Sequence, residues 1–132
     1  MADNFDWKEY LRLARQLVTD ASDEAALRSN ISRAYYSAYH RTTIVCRERT
    51  QLPLRGHRIW GELATFGRNN NLSNMMLIGE LGIDLKRHRI IADYHNPYNR
   101  DNRVLPPLKL LATDAIAQAH AILRLLDQIA AA

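Results

Sequence analysis

The chain has 132 residues, 47% of them apolar and 24% charged, with five glycines, four prolines and one cysteine. That length supports one hydrophobic core and argues against a second domain, and the composition excludes a disordered chain and favours helices. No apolar run is long enough to cross a bilayer, Cys46 alone rules out an intrachain disulfide and a cysteine zinc site, and the net charge of +4 leaves room for a polyanionic partner.

Apolar residues recur at helical spacing in five blocks. The first holds Trp7, Tyr10, Leu11, Ala14, Leu17 and Val18 on one stripe, with Asp3 or Asn4 available as N-cap and Asp6 and Glu9 near the positive helix end. An acidic start, Met1 to Asp6, is unlike a basic secretory signal, so a cytoplasmic location is expected. The second helix is expected from Ser22 to about Arg49, with the stripe Leu27, Ile31, Ala34, Tyr35, Ala38, Thr42 and Val45 facing inward.

Thr50 to Gly56 breaks the period and reads as a connection. A short third helix, near His57 to Phe66, presents Ile59, Trp60, Leu63 and Ala64, and Gly67 with Asn69 to Asn71 should end it. Ser73 can cap a fourth helix whose expected inner face is Leu77, Leu81, Leu85, His88 and Ala92. Pro97 disfavours helical geometry at Asn96 and so stops that helix near His95.

Asn96 to Pro106 reads as an irregular loop. Pro107 then opens a fifth helix with the stripe Leu108, Leu111, Ala115, Ala119, Ile122, Leu126 and Ile129. That helix also carries Leu110, Ile116, Leu123 and Leu125 off the stripe, which fits either dimerisation or a central helix touching several neighbours. No segment alternates with period two. The expected fold is all-α: an antiparallel bundle of four main helices plus a short third one, in a single domain over residues 1–132.

Charge is unevenly spread along this bundle. Residues 1–27 hold three basic and six acidic groups, whereas residues 28–103 hold thirteen and six. Fifteen of the eighteen basic residues are arginine, whose planar fork matches phosphate and stacks on bases. The middle of the chain is therefore the candidate for a polyanion.

Two constellations sit in that middle. On the second helix, Arg33, Tyr36 and His40 share a face separate from the apolar stripe, which fits a polar cleft, although composition alone favours a tyrosine-rich packing helix. At the end of the fourth, Arg87, His88, Arg89, Asp93 and His95 gather guanidinium, imidazole and carboxylate groups, the types that cleave phosphodiesters without a metal. Arg89 and Asp93 are four apart, where a carboxylate can hold the guanidinium; a surface salt bridge beside a helix-terminal histidine is the plainer reading. His88 and His95 share a face two turns apart, about 10.5 Å of rise, too far for one metal ion, and neither metal nor cofactor is expected.

The segment Ser32-Arg33-Ala34-Tyr35-Tyr36-Ser37-Ala38-Tyr39-His40, followed after a short helix by Arg89-Ile90-Ile91-Ala92-Asp93-Tyr94-His95, resembles the HEPN superfamily of prokaryotic helical domains. The likeness spans nearly the whole chain, including helix order and the His57-Arg58-Ile59-Trp60 start of the third helix. What it implies is a metal-independent endoribonuclease of a toxin–antitoxin or anti-phage system, with Arg89 and His95, five residues between them, as its Arg/His motif. Asp93 would orient Arg89, while Arg33, Tyr36, His40, Arg87 and His88 would contact RNA. Such domains pair as homodimers that join two motifs in one cleft. Others of the superfamily have lost catalysis and bind a nucleotidyltransferase or antitoxin protein, or a nucleotide, and here Ile90 stands where the nucleases commonly carry a polar residue after the arginine.

Overall fold

The structure is a computed structural model and describes Glu9, Leu11 and Arg12 together with residues 24–94 and 107–131. Most of the first expected helix, the loop after the fourth, and His95 itself lie outside the described residues. Within them stand four helices: α1 (Glu24–Thr50), α2 (Ile59–Asn69), α3 (Ser73–Tyr94) and α4 (Leu108–Ala131). No strand occurs among the described residues, and the architecture is an all-helical bundle. Among the described residues no helix is long and apolar enough to cross a membrane.

Contacts between helix ends set the directions. Arg28 near the start of α1 reaches the Ala92 carbonyl near the end of α3, so these two run antiparallel. Asn74 at the start of α3 meets Gln128 near the end of α4, making that pair antiparallel as well. Arg49 of α1 donates to the Ala130 carbonyl, so the C-termini of α1 and α4 lie together and those helices run parallel. α3 is thus the central element, touching α1, α2 and α4.

Periodicity alone places the inner faces of α1, α2 and α4 correctly. All seven stripe residues of α1 are buried, as are Ile59, Trp60, Leu63 and Ala64 of α2. On α4, Leu111, Ala115, Ala119, Ile122 and Leu126 are buried, while Leu108 and Ile129 are partly so. Ile116 and Leu123 are also buried within the chain, Leu125 packs against the core, and only Leu110 stays exposed. The extra apolar width of α4 is therefore largely used by α1 and α3.

The inner face of α3 differs from expectation. Leu77 is 42% exposed and His88 only half-buried; the enclosed residues are Met75, Ile78, Gly79, Gly82, Leu85, Arg89 and Ala92. The reason lies in α2, which approaches so closely that only glycine fits beneath it. A Cβ at Gly79 would overlap the Trp60 carbonyl and Ala64 backbone, and one at Gly82 would overlap the Trp60 indole. A reading of apolar side chains treats glycine as blank and arginine as surface, so it rotates this helix by about one residue. Likewise Gly67 does not end α2, which continues to Asn69; it lets the start of α3 come close.

Candidate functional site

Gly82 is where the site begins. Its missing side chain seats the Trp60 indole, which is fully enclosed and donates from Nε1 to the Tyr35 hydroxyl at 3.1 Å. Tyr35 is also fully enclosed, and its hydroxyl lies 2.6 Å from Nδ1 of His57. In the neutral tautomer with hydrogen on Nε2, Nδ1 accepts from the Tyr35 hydroxyl while Trp60 donates to the same oxygen. Burial pushes the Tyr35 pKa up to about 12, so the phenol stays protonated and keeps that role.

The connection from α1 to α2 delivers His57 to this place. Arg47 donates twice to the Leu54 carbonyl, at 2.7 and 3.2 Å, and Leu54 is fully buried. Gln51, Leu54 and Gly56 adopt positive φ angles of 63°, 29° and 71°, folding the segment back over the bundle. His57 then lies among Tyr35, Tyr36 and Tyr39, with ring centroids 5.5, 6.1 and 5.3 Å away.

Arg89 enters the same cluster from α3. Its guanidinium carbon is 5.2 Å from the Tyr35 ring, 5.8 Å from Tyr36 and 5.9 Å from Tyr94. Aromatic faces attract such a cation, by roughly 2 kcal/mol when the pair is desolvated. Asp93, one turn on, accepts from Arg89 at 3.2 Å, as the i, i+4 spacing predicts. The pair is not the surface salt bridge of the plainer reading: the Arg89 side chain is only 9% exposed, against 30% for Asp93. Burial works against the charge, but Tyr36, Tyr94, Asp93 and Tyr35 outweigh it and hold the Arg89 pKa above its ordinary value. Nε of Arg89 is enclosed with no hydrogen-bond partner among the described residues.

Of the other expected site residues, Tyr36 and His40 join this cluster, their rings 6.0 Å apart. Arg33 lies one turn before Tyr36 on the same helix and is half-buried. Arg87 and His88 are not brought in. Successive helix residues point about 100° apart by the 3.6-residue turn, so neighbours of Arg89 face elsewhere. Arg87 pairs with Asp84 at 2.9 Å on the exposed side, and His88 faces Gln118 and Asp114 of α4. The structure thus places Arg87 and His88, neighbours of Arg89 in the sequence, apart from the Arg89 group.

Three members escape a sequence reading. The sequence puts His57 at the start of a helix, Trp60 on its inner face and Tyr35 in the α1 stripe; nothing in their spacing links them to Arg89, because they reach it from α1, α2 and the connection between them. Arg28 is the fourth contributor: it pairs with Glu24 at 2.8 Å and donates to the Ala92 carbonyl at 2.7 Å. That bond satisfies one of the free carbonyls at the end of α3 and pins the turn carrying Asp93.

Both described histidines with shifted pKa values, His57 and His88, are displaced below the ordinary 6.5, chiefly by burial. For His57, Arg89 and Lys86 add repulsion. As pH falls through 6.5, the unfolded chain takes up protons that the folded rings resist, so stability is full above that value and declines below it until the folded rings protonate. The urea midpoint is therefore expected to be lower at about pH 5.5 than at about pH 7.5, with a smaller difference in His88→Gln. An unchanged midpoint in the wild-type chain would contradict the enclosure of these rings.

Compared with protein-family models, with curated proteins and with solved structures, the chain gives no match.

Proposed function

We propose that the protein is a cytoplasmic, metal-independent endoribonuclease of HEPN type, acting in a toxin–antitoxin or anti-phage system, in which Arg89 and His95 act on one phosphodiester at a dimer cleft. The observation that carries this reading is the caged Arg89. An arginine held by a carboxylate and three aromatic rings, in a basic middle segment, is pre-oriented for a phosphate, and His95 follows it by six residues in the sequence.

In the proposed reaction the ribose 2′-oxygen attacks the adjacent phosphorus while His95 takes the hydroxyl proton. The bond from phosphorus to the 5′-oxygen breaks, that oxygen receives a proton, and the products are a cyclic phosphate and a free 5′-hydroxyl. In a homodimer the two copies of His95 divide the base and acid roles. Arg89 stabilises the charge growing on the phosphoryl oxygens, with Asp93 orienting it. DNA lacks the nucleophile and should be spared.

A second reading has an observation of its own. With only 9% of its side chain exposed, Arg89 offers little of its fork to a ligand. That favours a non-catalytic module of the same type, whose basic face binds a nucleotidyltransferase or antitoxin protein, or a nucleotide. Purified protein incubated with total RNA in chelator separates the two. The nuclease reading expects fragments with cyclic phosphate and 5′-hydroxyl ends, and a drop of about 10²–10⁴-fold in His95→Ala. Intact RNA in both samples would leave the binding module.

A further inference from the structure

We infer that His57 is a second phosphate-contacting group of the site, presenting Nε2–H beside Arg89 to a non-bridging oxygen of an RNA phosphodiester. This rests on the reading of Arg89 as a phosphate ligand and adds to it a residue from the connection between α1 and α2.

The geometry starts from the tether. Tyr35 occupies Nδ1, so the ring cannot rotate freely and Nε2 is the nitrogen left over. Among the described residues the half-buried ring bonds through Nδ1, to Tyr35, which leaves Nε2 for a ligand. Tyr35 itself is held by Trp60, which is held by the close approach at Gly82. A surface histidine needs no such chain of support; one that must hold a fixed donor does.

His57 and Arg89 also flank the same two rings. Both lie within 6.1 Å of the centroids of Tyr35 and Tyr36. Among the described residues the groups facing His57 are Tyr35, Tyr36 and Tyr39 of α1, and Arg89 and Lys86 of α3. The two charged ones are cations, and Asp93, bonded to Arg89, is the balancing anion at that end. Both cations depress His57. An anionic oxygen placed between the imidazole and the guanidinium relieves that repulsion and uses the unmatched positive charge.

The test is a long-range ¹H–¹⁵N titration of His57 in the labelled chain, alone, with an uncleavable 2′-O-methyl RNA oligonucleotide, and with inorganic phosphate. Bound RNA is expected to raise the His57 midpoint by about one pH unit or more, as a nearby opposite charge does. His57→Asn keeps a polar atom for the Tyr35 hydroxyl but deletes Nε2, and should bind the oligonucleotide about five- to tenfold more weakly, the worth of one hydrogen bond.

RNA that binds without moving the His57 midpoint, together with full affinity in His57→Asn, overturns the inference and leaves Arg89 untouched. A midpoint that moves with inorganic phosphate and not with RNA overturns the phosphodiester assignment. A midpoint that rises with RNA in a chain that cleaves nothing supports His57 as a ligand and removes the nuclease reading instead.

Discussion

Arg89→Lys is expected to lower RNA cleavage by about 10²–10³-fold while the chain stays helical, the loss seen when one fixed donor to a developing oxyanion is removed. Lysine keeps the charge but not the fork. A guanidinium can lie flat on the Tyr35 and Tyr36 rings and still present parallel N–H groups to Asp93 or a phosphate; an ammonium can do neither. The measurement is the initial rate on a labelled oligonucleotide in chelator, beside circular dichroism of both proteins. Undiminished cleavage in a folded Arg89→Lys chain would mean that the guanidinium serves packing alone.

The second large effect concerns stability. Gly82→Ala is expected to destabilise the fold by about 1–3 kcal/mol, the usual cost of overpacking, because the new methyl group meets the Trp60 ring. Neither partner has an easy retreat. Trp60 is enclosed on all sides and tied to Tyr35, and Gly82 sits on the helix that contacts the other three. Trp60→Leu should be destabilising by itself, through lost volume and the lost hydrogen bond to the Tyr35 hydroxyl. The two together should be less harmful than their sum, with a coupling of about 0.5–3 kcal/mol in a double-mutant cycle by urea unfolding. Strict additivity would show that Gly82 and Trp60 do not share this space.

These two experiments meet at one place. The Gly82 contact sets Trp60, Trp60 sets Tyr35, and Tyr35 supports both the His57 ring and the face on which Arg89 lies. A modest shift of α2 against α3 would therefore reach the candidate site without touching a charged residue. Gly82→Ala should accordingly perturb the His57 resonance as well as lower stability.

Much of the fold was legible before any coordinates. The α1 stripe from Leu27 to Val45, the α2 anchors and the α4 stripe follow from helical periodicity, since each faces the core with ordinary apolar side chains. The Arg89–Asp93 pair follows from i, i+4 spacing on a single helix. These are local properties, and the chain determines them by itself: the inner faces of α1, α2 and α4, and one held arginine.

What only the tertiary structure decided is long-range. That α3 turns its glycines and Arg89 inward, leaving Leu77 outside, depends on how closely α2 approaches, which no single-helix pattern encodes. That Tyr35, His57, Trp60 and Arg89 form one group depends on three helices converging, and that Arg87 and His88 stand apart depends on which neighbour each side of α3 meets. Sequence spacing fixes angles around one axis; distances between side chains on different axes come from packing, where a missing methyl group can matter as much as a charge.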